Sequence, residues 1–297
     1  MRMVTNYRGR AKVVFARRFR QNGCASRLAA AAVLSNALVL SACSDLKPIA
    51  EFGKNGSAVA GYPEVAKDYV LSLQRQRSYG QAGTSVSDEK IAERTRQAKR
   101  LRDAQAVLEA YAKALGSLAA DDLISYDKEI DALNKSLVSG KFATSAQIDG
   151  YAKAAKFTLG FVTDIYRREK IKRIIITYNL SVQKATAQLV KIVETDYLTA
   201  LDVERVMFTQ TVVDRARRST ADLEGMPQLV TLLSDEHREM FKTREANAKA
   251  LAQGMRTFAK GHQELANNIG KVDFKQTIEV ARKYADQLKA VIKSFNS

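Results

Sequence analysis

Residues 171–192 read IKRIIITYNLSVQKATAQLVKI, and this stretch decides the fold class because two periodicities compete in it. The part RIIITYNLSV alternates apolar and polar side chains, which is typical of a β-strand. Over the whole stretch, apolar residues instead recur at spacings of four and three, as on one face of a helix. These residues are Ile171, Ile175, Tyr178, Val182, Ala185, Leu189 and Ile192. The helical match is longer, and no second strand pattern exists to pair with the first, so the stretch is predicted to be helical.

Helical patterns also fill most of the remaining chain. Three prolines, no tryptophan and 46% hydrophobic residues favour helix over sheet. Further helices are predicted at about 64–78, from Ser87 to Gly140 with a break near 116–121, from Pro227 to about 267, and over 272–295. We therefore predict an all-α protein, an elongated antiparallel helical bundle with several long, coiled-coil-like helices.

The first 42 residues differ in composition from everything that follows. They carry eight Arg and Lys and no acidic residue, and residues 28–40 read LAAAAVLSNALVL. A basic lead followed by an apolar run is typical of an export signal. The run is shorter than the roughly 20 residues that a transmembrane helix needs, so we predict a cleaved signal peptide over residues 1–42.

The end of this apolar run, Leu40-Ser41-Ala42-Cys43, resembles the lipobox of bacterial lipoproteins at every position. The resemblance implies cleavage between Ala42 and Cys43, a diacylglycerol on the Cys43 sulfur, and acylation of the new amino terminus. It covers only the first 43 residues, and no family is recognised for the mature domain. The structural alternative is a buried cysteine in an alanine-rich helix.

Ser44 follows the lipobox cysteine. In enteric-type bacteria an aspartate at that position retains a lipoprotein in the inner membrane, so the resemblance implies an outer-membrane protein that faces the periplasm. In a Gram-positive host the same signal implies the outer face of the single membrane. Residues 43–61 are rich in glycine and lack a period, so we expect a lipidated cysteine with a flexible tether, followed by a helical domain over 62–297.

Removal of the signal changes the charge balance of the chain. Eight of the 48 basic residues leave with it, and the net charge falls from +16 to about +8. The high basicity therefore gives little support to nucleic-acid binding. Cys24 is removed as well, so Cys43 is the one cysteine of the predicted mature protein, and no disulfide or cysteine-based metal site is expected.

Few residues suggest catalysis or metal binding. His237 lies among acidic and basic residues, but consecutive side chains on a helix point in different directions and do not converge on one site. The second histidine, His262, follows 25 residues later. Asp121, Asp122 and the group Asp127, Glu129 and Asp131 lack the spacing of a calcium loop. We predict surface positions for the carboxylates and for His237, with no catalytic residue, metal site or cofactor.

Two basic clusters remain, at Arg94–Arg102 and Arg167–Arg173. Lipid headgroups, lipopolysaccharide phosphates or an acidic protein surface could bind them, but interleaved Glu93, Asp103 and Glu169 favour an ordinary solvated helix face. We predict a lipid-anchored, non-catalytic interaction or scaffold protein of the bacterial envelope that binds envelope protein partners. The sequence predicts no particular oligomeric state. The alternatives are an envelope enzyme with an unrecognised site, or a cytoplasmic nucleic-acid-binding protein in which the lipobox is accidental.

Overall fold

The computed structural model describes residues 46–79, 87–155, 163–220, 224–270 and 274–295. Within these ranges all regular structure is helical and no strand occurs, which confirms the predicted all-α bundle. The elements are α1 (Lys47–Ala60), α2 (Glu64–Tyr79), α3 (Asp88–Ala119), α4 (Leu123–Ser139), α5 (Ser145–Ala155), α6 (Asp164–Lys191), π1 (Ile192–Tyr197), α7 (Leu198–Met207), π2 (Phe208–Val213), α8 (Asp214–Thr220), α9 (Met226–Asn268) and α10 (Phe274–Ser294).

The stretch with two competing periodicities is helical. All seven residues of its four-and-three pattern are buried. Ile176 and Leu180, which a strand would have placed on the same face as Ile174, are 52% and 55% exposed. The longer pattern therefore gave the correct secondary structure, because burial follows the helical period over the whole stretch.

Several predicted helix boundaries are also confirmed. The Ser87 side chain accepts a hydrogen bond from the Lys90 amide, and that of Asp122 accepts one from Ser125, so these residues cap α3 and α4. Gly140 ends α4, and Gly225 precedes α9 with a φ of 76°. The left-handed conformation at Gly225 is available to glycine at little cost, and it separates α9 from the preceding helix.

The predicted flexible tether over residues 44–61 is wrong, because Lys47–Ala60 form helix α1. Leu46, Ile49, Phe52 and Val59 are buried in the main core of the bundle. Gly53 and Gly56, which suggested flexibility, lie on the same buried face. A Cβ atom on Gly53 would be 2.6 Å from the backbone nitrogen of Gly116, so the glycine permits close contact between α1 and α3. The folded body therefore includes Leu46 to Ala60 and is not limited to residues 62–297.

Several neighbouring helices run antiparallel to each other, whereas the consecutive helices α1 and α2 both run antiparallel to α3. In the antiparallel pair α1 and α3, Gln105 donates a hydrogen bond to the Ala60 carbonyl at 3.0 Å, while Gly53 lies beside Gly116. In the antiparallel pair α6 and α9, Asn179 contacts Gln263 at 2.9 Å. Helix α10 runs parallel to α1, and Asn55 donates to the Ala285 carbonyl at 2.9 Å.

This arrangement gives the bundle two ends that differ in composition. We call the first end, at which α1, α4, α6 and α10 begin, the α1 end. Two contacts bring these helix starts together: Arg167 pairs with Asp121 at 2.7 Å, and Arg168 lies 5.3 Å from the centre of the Phe274 ring. At the second, which we call the Phe208 end, α2 meets π2, and the Tyr79 and Phe208 rings are 5.4 Å apart. The main core occupies most of the bundle, and a separate small cluster of Phe208, Val213, Val230 and Phe241 lies at the Phe208 end.

Candidate functional site

The predicted lipidation site lies outside the described residues. Ala42 and Cys43 precede Leu46, at which the description begins. Lipidation of Cys43 therefore stays a prediction from the sequence.

His237 and the carboxylates considered for chemistry are spread over the surface. His237 is partly exposed and stacks on Phe208, with ring centroids 4.0 Å apart. Asp127 and Asp131 are exposed and Glu129 is partly exposed, as predicted. Among the described residues, no group of three His, Cys, Asp or Glu side chains could hold a metal ion.

The two basic clusters have different environments. In the first, Arg96 pairs with Glu93 at 2.5 Å and Lys99 with Asp103 at 2.7 Å, as expected for a solvated helix face. In the second, Arg167 and Lys170 are buried, so a wholly solvated face was the wrong expectation there. Arg167 is buried because it joins the starts of α4 and α6, through ion pairs with Asp121 and Asp164.

The Phe208 end carries a surface groove of about 420 Å³. Its apolar wall comes from Val206, Phe208, Val213 and Phe241. The charged side chains that line it are all arginines: Arg205, Arg217 and Arg238. Arg205 pairs with Asp202, and Arg238 pairs with Asp235 at 2.8 Å. The groove is therefore apolar at its base and cationic at its rim.

Large apolar side chains are also exposed elsewhere at the Phe208 end, on the side of α9 away from the groove-lining Ser234, Arg238 and Phe241. Leu229, Leu232 and Leu233, spaced as one face of the first turns of α9, are 46%, 66% and 45% exposed. Val203 and Val206 on α7 and Val212 on π2 are also exposed at this end of the bundle. Grouped exposed apolar side chains with a polar rim are typical of surfaces that bind another molecule.

A cluster of four charged side chains lies beneath the Phe208 end. Glu204 is fully buried on α7, and it pairs with Arg75 at 2.5 Å and Arg244 at 3.4 Å. Asp68 completes the cluster, at 2.8 Å from Arg75 and 3.5 Å from Arg244. The Tyr197 hydroxyl donates to Asp68 at 2.7 Å. Two carboxylates and two guanidinium groups thus join α2, α7 and α9 at a point between the two π-helical segments.

Burial and charge pairing oppose each other in this cluster. Burial raises the pKa of the Glu204 carboxyl, against the lowering effect of Arg75 and Arg244. Burial alone would lower the pKa of Arg75, but its hydrogen bond to Glu204 and the charge of Asp68 raise it. The two π-helical segments flank α7, which carries Glu204, and such segments are frequent at functional sites. Each carboxylate has both arginines as partners, which is an arrangement that fixes three helices rather than one that leaves a reactive group.

Sequence reasoning missed a second polar network, around His262 in the main core. His262 is fully buried; its Nε2 lies 2.5 Å from the Tyr111 hydroxyl, and its Nδ1 lies 2.9 Å from Asn179 Oδ1. Because Oδ1 can only accept, Nδ1 carries the proton and Nε2 accepts from Tyr111. Burial lowers the pKa of His262 to about 3, so the ring is neutral. The partners Asn179 and Tyr111 lie 83 and 151 residues away along the chain, so no local pattern reveals them.

No protein-family model, curated protein or solved structure matches the chain. Within the described ranges, none of the helices combines the length and the apolar character that crossing a membrane requires. The candidate functional surface therefore rests on the geometry of the Phe208 end alone.

Proposed function

We propose that this protein is a lipid-anchored, non-catalytic scaffold of the bacterial cell envelope, held on the outer membrane and facing the periplasm. The observation that carries the proposal is the sequence of the amino terminus. A basic lead, an apolar run of 13 residues and Leu40-Ser41-Ala42-Cys43 occur in the order of a lipoprotein signal. Cys43 holds the lipid, and the helical bundle follows it.

The partner-binding surface of this scaffold is the Phe208 end, which carries the groove on one side of α9 and the exposed Leu229, Leu232 and Leu233 on another. Its occupant is an apolar segment of an envelope protein that carries carboxylates. The apolar base formed by Phe208 and Phe241 favours aliphatic or aromatic side chains, and the arginine rim favours acidic ones. Arg217 contributes most to this preference, because Arg205 and Arg238 already pair with Asp202 and Asp235.

The length of α9 separates this groove from the lipid. Helix α9 has 43 residues and begins at the Phe208 end. At a rise of 1.5 Å per residue it spans about 65 Å. A scaffold that is anchored at the α1 end would thus present the groove far from the bilayer surface, where soluble domains of envelope proteins are accessible.

Metabolic labelling with palmitate tests the anchor. We expect the wild type to incorporate label and to fractionate with membranes, and Cys43→Ser to lose both properties. Cys24→Ser is the matched control, since Cys24 lies in the segment that is removed; this variant should be labelled like the wild type. An uncleaved, unlabelled wild type in its native host would contradict the proposal.

The destination is tested separately, by separating inner and outer membranes on a density gradient. We expect the wild type in the outer-membrane fraction of an enteric-type host. Ser44→Asp should move the lipidated protein to the inner membrane, because aspartate after the lipobox cysteine retains lipoproteins there. If both proteins occupy the same fraction, the outer-membrane assignment is incorrect, although the lipid anchor stands.

A further inference from the structure

The covalent distance between the proposed lipid and the folded body is short. The description begins at Leu46, which is buried, and α1 starts at the next residue. Two residues, Ser44 and Asp45, lie between Cys43 and Leu46, and even a fully extended chain covers no more than about 11 Å over these three steps. An anchor at Cys43 therefore holds the start of α1 at the bilayer surface. This step rests on the proposed lipidation.

The start of α1 is closely packed against two other helices. A Cβ atom on Gly116 of α3 would lie 3.4 Å from the Ala50 carbonyl oxygen and 3.4 Å from the Lys54 nitrogen. Ala50 and Glu51 also line one surface depression with Ala120 and Asp122. The turn between α3 and α4 thus lies beside the first turns of α1. Arg167 joins the start of α6 to the same turn, through its ion pair with Asp121.

Two isoleucines project from this region into solvent. Ile124 in the first turn of α4 is 75% exposed, and Ile165 in the first turn of α6 is 78% exposed. They are the two most exposed large apolar side chains among the described residues. Tyr166, next to Ile165, is 38% exposed, and an aromatic ring with a hydroxyl suits the boundary between lipid and water.

The charges around the isoleucines are mixed in sign. Arg167 is paired with Asp121 and Asp164, and Lys170 is buried. At the same end of the bundle, Asp122 and Asp127 are exposed negative charges and Lys47 is an exposed positive charge. These described charges are of both signs, so apolar contact is the distinguishing property of the surface.

We propose that the α1 end is a membrane-contacting surface, in which Ile124 and Ile165 enter the interfacial region of the bilayer beside the lipidated amino terminus. The anchor and these two side chains then give the bundle three points of contact with the membrane. Three points fix the direction of the bundle, so the Phe208 end is held away from the lipid. The occupant of this surface is the bilayer itself, whether its headgroups are zwitterionic or anionic.

Tryptophan fluorescence tests this proposal directly, because the chain contains no tryptophan. Full-length Ile165→Trp, Ile124→Trp and Leu232→Trp variants are expressed, processed to the lipidated form and reconstituted into phosphatidylcholine vesicles with brominated acyl chains. Leu232 is the matched control, since it is 66% exposed at the Phe208 end. Mass spectrometry of each preparation establishes whether Cys43 carries lipid before the fluorescence is read.

We expect brominated lipid to quench most of the fluorescence of the Ile165→Trp and Ile124→Trp variants and to leave that of Leu232→Trp nearly unchanged. Addition of phosphatidylglycerol or of salt should not alter this difference. Lipidated protein with equal quenching at both ends, or with quenching at Leu232 alone, would overturn the proposal while the lipid anchor stands. Quenching that requires phosphatidylglycerol would also overturn it, in favour of headgroup recognition by the basic cluster. Absence of lipid on Cys43 would instead refute the proposed function.

Discussion

The two ends of the bundle are built on different physical principles. At the α1 end, helices approach through glycine, as where Gly53 meets the backbone of Gly116. At the Phe208 end, helices are joined by buried charges around Glu204, and the apolar side chains Leu232 and Leu233 face solvent. Close backbone packing tolerates no insertion, whereas ion pairs can hold helices together while their outer faces stay free to bind a partner. The difference suggests that one end is built for fixed attachment and the other for recognition.

Substitution of Gly53 is expected to have the largest effect on stability. In Gly53→Ala the new Cβ would lie 2.6 Å from the Gly116 nitrogen and 2.7 Å from the Ala112 carbonyl oxygen. Both are backbone atoms, so relief requires a shift of α1 as a whole, and we expect a loss of about 3 kcal/mol in the free energy of unfolding. Urea denaturation of the purified protein measures it.

Gly150→Ala is the matched control for this prediction. Gly150 lies in α5, and nothing would lie within 4 Å of its Cβ. Alanine should therefore stabilise the protein slightly, by about 0.5–1 kcal/mol, through its higher helix propensity. If both variants behaved alike, α1 would not be packed against α3, and the contrast between the ends would fail.

Loss of the Glu204 charge should have the next largest effect. Glu204→Gln keeps the shape of the side chain but leaves Arg75 and Arg244 with Asp68 as their remaining anionic partner. Removal of one partner of a buried ion pair costs about 3–5 kcal/mol. Both arginine side chains are 23% exposed and reach water, so we expect a smaller loss, of about 2–3 kcal/mol. Amide hydrogen exchange should become faster in α2 and α7 of the variant and stay unchanged in α1.

Glu194→Gln is the control for buried charge. Glu194 pairs with Arg256 on the surface, with side chains 37% and 49% exposed. An exposed pair contributes less than about 1 kcal/mol. A loss at Glu204 no larger than that at Glu194 would show that the buried cluster does not hold the Phe208 end together.

Replacement of His262 probes the main core between the two ends. His262→Phe places a slightly larger, apolar ring at this position and removes the hydrogen bonds of His262 to the Tyr111 hydroxyl and to Asn179 Oδ1. We expect a loss of about 2 kcal/mol at neutral pH, since one buried hydroxyl is left unsatisfied. His237→Phe, at the partly exposed second histidine, should change the free energy of unfolding by less than about 0.5 kcal/mol.

The same pair of variants gives a prediction for pH. Burial lowers the pKa of His262 to about 3, below the value of about 6.5 in an unfolded chain, so the unfolded state binds the proton first. The stabilising contribution of the neutral ring is complete above about pH 6.5 and is lost towards pH 3, by about 1.4 kcal/mol per pH unit. His262→Phe should reduce this slope, and His237→Phe should retain it. An unchanged slope in His262→Phe would show that His262 does not titrate as proposed.

The sequence predicted helices well because burial follows the helical period over long stretches. The four-and-three pattern from Ile171 to Ile192 identified α6, and Ser87 and Gly140 gave boundaries within one residue. The failure at α1 has a specific cause. Gly53 and Gly56 occupy its buried face, where their small size permits close packing, and composition alone cannot distinguish that role from flexibility.

The candidate surface was less accessible to sequence reasoning. Leu229, Leu232 and Leu233 have the spacing of a core-facing stripe, yet they are exposed because no other described element covers the start of α9. The Glu204 cluster joins residues separated by 129 and 40 positions, and no local pattern brings Arg75 and Arg244 together. Tertiary contacts decide both features.

Site-specific photo-cross-linking in living cells tests the contrast between the two ends most directly. A photoreactive amino acid is placed at Leu232 in one strain and at Ile165 in another. We expect Leu232 to form a discrete adduct with an envelope protein, and Ile165 to form no protein adduct because it faces lipid. Arg217→Glu should weaken the Leu232 adduct by repelling an acidic partner, and Cys43→Ser should abolish it. Adducts of equal yield at both positions, or a protein adduct at Ile165 alone, would contradict the account.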